Sequence, residues 1–458
     1  MEGLEISVVK LSEVIKSSYS SRWDSFYFQK EFLKDEKIFE TWASLENIAI
    51  IKSGTTPKDR DETLKTGVVL LKTNDIRNNI LLDKGNDYFY ISEAVNNEMI
   101  SSQVASNDIL INIVGATTEV VGRVSFVPQN FKKANITQAM SFIRLTDSKY
   151  SPFFVFIFLQ TKYGLKQTRR IARPTGQYNI NNIELGSYKV PSVSDTFQSK
   201  IDSLVKSAHA KLEESKSLYS QAEDLLLGEL GLKDWQAKNT LHTTKKFSDF
   251  AQSGRLDAEY YQPKYDDLFE KLSCLNCKRL GKIVSIKKSF DPGSDAYQET
   301  GIPFIRVSDI SKDGIEKTEL HLSPIDFDIP ELKPKKDTIL FSKDGSIGIA
   351  YKVQSDLNVF TSGALLHLVT TDSSILPDYL TLVLNSVVVK LQAERDSNGA
   401  IIQHWKPSDI ENVIIPILPE QIQTKIASLI QQSFEYKAQS KQLLEDAKRM
   451  VESEIEKN

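Results

Sequence analysis

Five cations stand in one stretch, QTKYGLKQTRRIARPTGQYN at 160–179, with no acidic residue among them. They are Lys162, Lys166, Arg169, Arg170 and Arg173, interleaved with Tyr163, Gln177 and Tyr178. Guanidinium and ammonium groups anchor phosphates, while planar amides and aromatic rings suit base edges, so the mixture fits a nucleic-acid surface. A solvated helix face with a basic end has the same composition, and this stretch alone does not separate the two readings.

A second, less basic stretch of the same kind, KLQAERDSNGAIIQHWKP at 390–407, holds Arg395, Asn398, Gln403, His404, Trp405 and Lys406. Two more polar tracts join the first: KSGTTPKDR at 52–60, with Lys52, Thr55, Thr56 and Lys58, and KTNDIRNN at 72–79, with Lys72, Asn74, Arg77 and Asn78. Their counterparts are KKSFDPGSD, with Lys287 and Lys288, and RVSDISKDG, with Arg306 and Ser308; Lys343 completes the candidate set. These side-chain types reach into a DNA groove, although loops are polar in most proteins.

Catalytic signatures are missing from the sequence. There is no GxxxxGK[ST] phosphate loop, no GxGxxG after a strand, no GxSxG and no HExxH. The Asn- or Asp-Pro-Pro-aromatic stretch usual in DNA aminomethyltransferases is also lacking; DPGSD at 291–295 does not qualify. Cys274 and Cys277 form CLNC, half of a structural zinc site at most, and the five histidines are scattered. The expectation is a chain with no catalytic residue, no metal and no cofactor of its own.

The positioning elements emerge from an internal repeat. PSVSDTFQSKIDSLV at 191–205 and PILPEQIQTKIASLI at 416–430 share Pro191/Pro416, Gln198/Gln423, Lys200/Lys425 and Ile201/Ile426, all 225 positions apart. Further matches run in order along both halves. SRWDSFYFQKEF at 21–32 faces GRLDAEYYQPKY at 254–265, and TGVVLLKTNDI at 66–76 faces TGIPFIRVSDI at 300–310. Asp108 faces Asp337, and SPFFVFIFLQ at 151–160 faces LPDYLTLVLN at 376–385. Each half reads as a lead-in, a β-rich body with Gly, Asn, Asp and Pro turns, a short helix after Pro152 or Pro377, a last strand, and a long helix.

Both long helices carry apolar or small residues at heptad spacing. The first has Ile201, Leu204, Ala208, Leu218, Ala222 and Leu225; the second has Ile426, Leu429, Tyr436, Leu443, Ala447 and Met450. Ser215 and Ser440 interrupt the same heptad position, and Gly228 and Gly231 stop the first helix. Each helix either packs on its own body or pairs with the other. Charged outer faces such as KLEESKS and LLEDAKR leave one narrow stripe, which favours an antiparallel pair. About 30 residues at ~1.5 Å each give a rod near 45 Å, with two similar domains at opposite ends.

With 458 residues, 40% hydrophobic and 26% charged, the chain is expected to be globular and multidomain. No apolar run spans a bilayer, the N-terminus has no signal-peptide layout, and two cysteines fit the reducing cytoplasm. The net charge of −4 leaves any DNA contact to local patches.

Taken together, the repeat, RLDAEYYQP at 255–263, the strand-proline-EQ-helix junction at 416–426 and IKSGTTPK at 51–58 resemble the specificity subunit of type I restriction–modification systems. The resemblance implies an α+β chain with two mixed β-rich target-recognition domains in tandem. Two long helices, packed as an antiparallel coiled coil about a pseudo-twofold axis, would separate them. The domains would cover 1–192 and 236–416, with spacer helices at 193–235 and 417–458. It also implies double-stranded DNA as ligand, two modification subunits and restriction or motor subunits as partners, and no membrane. S-adenosylmethionine and ATP with Mg would belong to those partners. The junction DTFQ at 195–198 and the missing Gly-Thr-Pro in the second opening loop depart from the pattern. A specificity factor for another phage-defence methyltransferase, an enzyme with altered motifs and a protein-binding adaptor remain as alternatives.

Overall fold

The computed structural model describes residues 7–17, 23–57, 61, 63–82, 88–174, 176–238, 240, 242–316, 318–327, 329–397 and 403–457. The chain is α+β and divides into two compact units, residues 1–213 with 437–458, and residues 214–436. Among the described residues no helix is long and apolar enough to cross a membrane.

The first unit is built on a five-stranded sheet in which Met140–Leu145 lies between Ala49–Ser53 and Ile109–Asn112, followed by Val124–Phe126 and Asn79–Ile80. The run ILIN is buried throughout because both faces of its strand are covered, and its one polar side chain, Asn112, donates to Thr73 O at 3.1 Å. Ile109 and Ile111 pack under the helix Pro152–Phe158, whereas Leu110 faces the cluster of Val69, Leu71, Ile136 and Phe142. Val68–Leu71 and Ala134–Ile136 pair in parallel beside this sheet.

The second unit repeats the plan with four strands, Val284–Lys288, Leu365–Thr370, Ile339–Ser342 and Ala350–Lys352. Ile302–Ile305 and Phe360–Thr361 form the matching parallel pair. Backbone bonds fix the correspondence and correct one expected match. Asn107 and Asp337 both adopt positive φ, at 67° and 66°, and donate to Val127 O and Val353 O at 2.9 Å each. Asp108 therefore corresponds to Thr338, one position from the expected match.

Two buried glutamines in each unit hold the frame. Gln198 Oε1 accepts from Ser151 N at 2.7 Å, and its Nε2 donates to Lys149 O at 2.8 Å. Gln423 makes the same bonds to Leu376 N at 3.1 Å and Ser374 O at 3.1 Å. Each long helix is thus rooted on the loop before the short proline-led helix of its body. Gln167 grips the backbone of Lys189 through N at 2.6 Å and O at 2.9 Å; Gln392 grips Ile414 at 2.8 and 3.0 Å.

The opening loops differ for a steric reason. A Cβ on Gly54 would stand 2.1 Å from Ile136 O and 2.3 Å from Thr137 O, so the first loop needs glycine there. In the second unit Ser289 occupies this place, and its hydroxyl donates to Thr361 O. The glycine lies across the gap instead: Gly363 N donates to Asp291 Oδ1 at 2.9 Å, and a Cβ on Gly363 would meet Asp291 Oδ2 at 2.4 Å.

The long helices span Asp195–Glu229 and Glu420–Lys457, 35 and 38 residues, longer than expected. The first passes through Gly228, and Gly231 takes the left-handed φ of 65° just beyond it. In the first unit Ile201, Val205, Ala447, Val451 and Ile455 share one core cluster, and Ser440 Oγ donates to Ala208 O at 2.6 Å. Phe197 lines a surface groove with Met450, so the two segments run antiparallel. In the second unit Ala222, Leu226, Ile426 and Ile430 share a cluster, and Ser433 Oγ donates to Ser215 O at 2.7 Å. The buried stripe includes Val205, Leu226, Ile430 and Val451 where the heptad reading has Leu204, Leu225, Leu429 and Met450. Ile201, Ala208, Ala222, Ile426 and Ala447 are buried as expected, and Leu204, Leu225, Leu429 and Met450 pack partly buried beside the added residues, so the stripe is one position wider and each helix packs on its body as well as on the other segment.

Replacing Gln423 by alanine removes the partner of Leu376 N, Ser374 O and the buried Leu418 O and is expected to cost about 3 kcal/mol, measured by urea titration of the full chain. His367 is 6% exposed and its Nε2 lies 2.8 Å from Thr361 Oγ1. Burial, helped by Lys287, pushes its pKa down from 6.5 to about 4. Above pH 6.5 the imidazole is neutral in both states. Between pH 6.5 and about 4 the unfolded chain binds a proton that the folded chain refuses, so stability falls as pH falls, by roughly 3 kcal/mol in all. Phe142 occupies the same lattice point in the first unit, opposite Lys52 and Leu110 as His367 is opposite Lys287 and Leu340. His367→Phe should flatten this part of the stability–pH curve.

Candidate nucleic-acid interface

The basic stretch 160–173 folds as the helix Lys162–Ile171 and the start of a hairpin, and most of its charge is met internally. Its first turn abuts the C-terminal helix, where Lys162 N donates to Glu452 Oε1 at 2.7 Å and Lys162 Nζ pairs with Glu456. The lead-in helix Lys30–Phe39 covers the other side, pairing Asp35 with Lys166 at 2.7 Å and Glu36 with Arg170 at 2.5 Å. Arg170 also donates to Tyr27 O at 3.0 Å and lies 4.2 Å over the Tyr27 ring. Arg173 pairs with the buried Glu184. Of the cations on this helix, Lys162 and Arg169 are exposed, and Lys166 and Arg170 are half-buried.

Arg395 holds the equivalent place in the second unit. Its guanidinium lies 4.3 Å over Phe269, 5.2 Å over Tyr260 and 2.6 Å from Asp396. Arg255 stands on Tyr260 as well, at 4.9 Å, and pairs with Asp257 at 2.5 Å. The motif RLDAEYYQP therefore clamps the lead-in to the body. The match Tyr27/Tyr260 with Arg170/Arg395 is a repeated cation–π contact, and both arginines serve packing as well as charge. Arg22 lies outside the described residues.

Other candidates stay at the surface. Lys52, Thr55, Asn74, Arg77, Gln177, Lys287, Lys288, Arg306, Ser308, Gln403 and His404 are exposed, and Thr56 is half-buried. Lys72 is half-buried with Nζ 3.8 Å over the Phe89 ring. Asn78, at φ 55°, uses its Oδ1 to accept from Val124 N at 2.9 Å, which makes it a turn residue. Ser308 Oγ donates to Asp309 at 2.9 Å, and Arg306 stands 3.8 Å from the same carboxylate. Lys343 pairs with Asp344, which also takes His404 Nδ1 at 2.9 Å. Lys58 and Asn398 lie outside the described residues.

Trp405 requires a correction. It is 1% exposed and packs on Phe341 with ring centroids 5.8 Å apart, so it supports the surface from beneath. Sequence reasoning also missed Gln167 and Gln392. Their spacing of 225, shared with Arg170 and Arg395, was the available signal.

Residues 276–448 match the family model described as type I restriction modification DNA specificity domain. The type I restriction enzyme EcoBI specificity subunit of Escherichia coli is 21% identical over 415 residues, covering 87% of this chain and 80% of that protein. The type I restriction enzyme MjaIX specificity subunit of Methanocaldococcus jannaschii is 24% identical over 429 residues, covering 90% and 91%. Among solved structures, the S subunit of a type I restriction–modification system from M. genitalium is 16% identical with a TM-score of 0.40, covering 90% of this chain and 94% of that one. The segment 276–448 thus matches the type I restriction modification DNA specificity domain, and the chain is similar along most of its length to type I restriction enzyme specificity subunits.

Proposed function

We propose that this chain reads a bipartite, asymmetric DNA target and docks the modification subunits, and through them the restriction subunits, of a type I restriction–modification complex. The observation that carries this reading is a frame written twice beneath surfaces that differ. The four glutamine bonds and the Tyr–Arg contact of one unit recur in the other, while the exposed residues above them match only in part: Lys52 and Lys287 are equivalent, but Asn179 stands where the other unit has His404. Equal frames give two sensors of one kind, and unequal surfaces give two different half-sites. The chain contributes recognition only; methyl transfer from S-adenosylmethionine and ATP-dependent motion belong to its partners.

The exposed cations Lys52, Arg169, Lys287 and Lys288 supply the salt-dependent phosphate contacts, and exposed amides discriminate bases. The overall charge of −4 keeps the isolated chain a weak DNA binder, and the complete complex binds more tightly.

Exchange of residues 1–192 for the same region of a relative, followed by methylome sequencing of cells that also hold the modification subunit, should change one half-site and leave the other intact. An unchanged methylation pattern would favour the adaptor reading. Arg169→Ala should weaken binding evenly across sequences and reduce the salt slope by about 1. Arg170→Ala should instead lower the thermal stability of the full chain.

A further inference from the structure

The hairpin that follows the basic helix is a built element. Its strands Arg173–Pro174 and Tyr178–Asn179 pair with each other, and the second pairs with Val114–Gly115 of the loop after the central strand. Ile180 N donates to Ile113 O at 2.9 Å and its side chain is buried. In the second unit Trp405 N donates to Lys343 O at 2.8 Å, Trp405 is buried, and Asp344 pairs with His404. The two units therefore share this attachment, with Ile180 and Trp405 as equivalent inward anchors. Just before each anchor, Tyr178 and Asn179 stand where the other unit has Gln403 and His404.

The root of the hairpin is locked to the sheet by polar groups. Arg173 pairs with Glu184, whose other oxygen accepts from Asn181 N at 3.0 Å while Asn181 Oδ1 accepts from Glu184 N at 2.9 Å. The neighbouring Asn182 bridges Ser53 and Ser141, accepting from Ser141 Oγ at 2.7 Å and donating to Ser53 Oγ at 2.7 Å. A buried carboxylate is costly unless it is paired, so this charge fixes the hairpin instead of meeting solvent. Beyond the root, Gly176, Gln177 and Asn179 are exposed, and Tyr178 is half-buried.

We propose that this two-stranded ribbon is the base-reading element of the first unit, with Gln177 and Asn179 reading base edges in the major groove and Arg173–Glu184 as its positioning pair. The inference rests on the DNA-reading function above and names the part that performs it. A two-stranded ribbon fits the width of the major groove, and planar amides make bidentate contacts with adenine. A common root under different outward residues is what two sensors of unlike half-sites require. The neighbouring helix has committed most of its cations to internal partners, which leaves the ribbon as the exposed polar projection of this region.

The test uses the full chain co-expressed with its modification subunit, with methylated motifs read by long-read sequencing. Gln177→Ala with Asn179→Ala should relax base preference by about tenfold at one or two positions of one half-site only. Asn179→His, which installs the residue of the other unit, should change preference at one of those positions and guards against a folding defect. Glu184→Gln should relax the same positions less far, an effect that a purely structural role would not produce. An unchanged motif in both ribbon variants overturns the ribbon assignment and leaves the DNA-reading function standing. Absence of any motif-specific methylation with the unaltered chain overturns both.

Discussion

A helix whose outer faces are charged cannot be held at a fixed angle by apolar contact alone, because a smooth stripe permits sliding and rotation. Here the constraint is one buried amide at the foot of each long helix. Gln198 and Gln423 each offer an acceptor and a donor to a backbone N–H and a carbonyl of the body, a pattern that only one orientation satisfies. The direction of the helix, and so the packing of its small and hydroxyl residues, follows from that attachment. The same solution appears in Gln167 and Gln392, which tie the second helix of each body to its last strand. Buried amides of this kind contribute uniqueness as well as stability, since any slip leaves several groups unpaired.

Charge in this protein is divided between frame and surface in a way that composition conceals. The stretch richest in cations is largely neutralised by Asp35, Glu36, Glu184, Glu452 and Glu456, all contributed from elsewhere in its own unit. Arginine suits this work because its planar head stacks on tyrosine while its long stem packs. The exposed cations are more scattered, and a stretch chosen by local density alone overstates the interface. The acidic partners lie over 100 positions away in most cases, beyond the reach of any local reading.

The duplication, the order of elements and the heptad register of the serines were legible in the sequence because each rests on spacing within one segment. Ser215 and Ser440 interrupt their stripes as expected, and both are buried at the helix seam. What escaped depends on contacts between distant segments. The stripe is one position wider than the heptad reading, adding Val205, Leu226, Ile430 and Val451, because each helix leans on a body as well as on its companion. Asn107, rather than Asp108, corresponds to Asp337 because backbone bonds, not residue type, define the turn. Trp405 read as a surface aromatic because its neighbours Gln403, His404 and Lys406 are polar, yet the bridge of His404 to Asp344 and the bond from Trp405 N to Lys343 O hold this segment with the indole buried. The base-contacting candidates were legible as residue types but not as a set, since the hairpin that gathers some of them is made by pairing with residues near 114.

The exchanged glycine of the opening loops bears on how such a protein acquires new variants. In one unit the missing side chain is at Gly54; in the other it is at Gly363, across the gap. Each loop is therefore matched to its own opposing strand and is a misfit against the other one. A short gene conversion that put Ser289 in the place of Gly54 would drive its Cβ into the backbone oxygens of Ile136 and Thr137, and one that removed Asp291 would leave Gly363 N without its carboxylate. Inheritance of a new loop must carry its companion segment, 72 to 83 codons downstream, so recombination that preserves this fit is confined to tracts that span both.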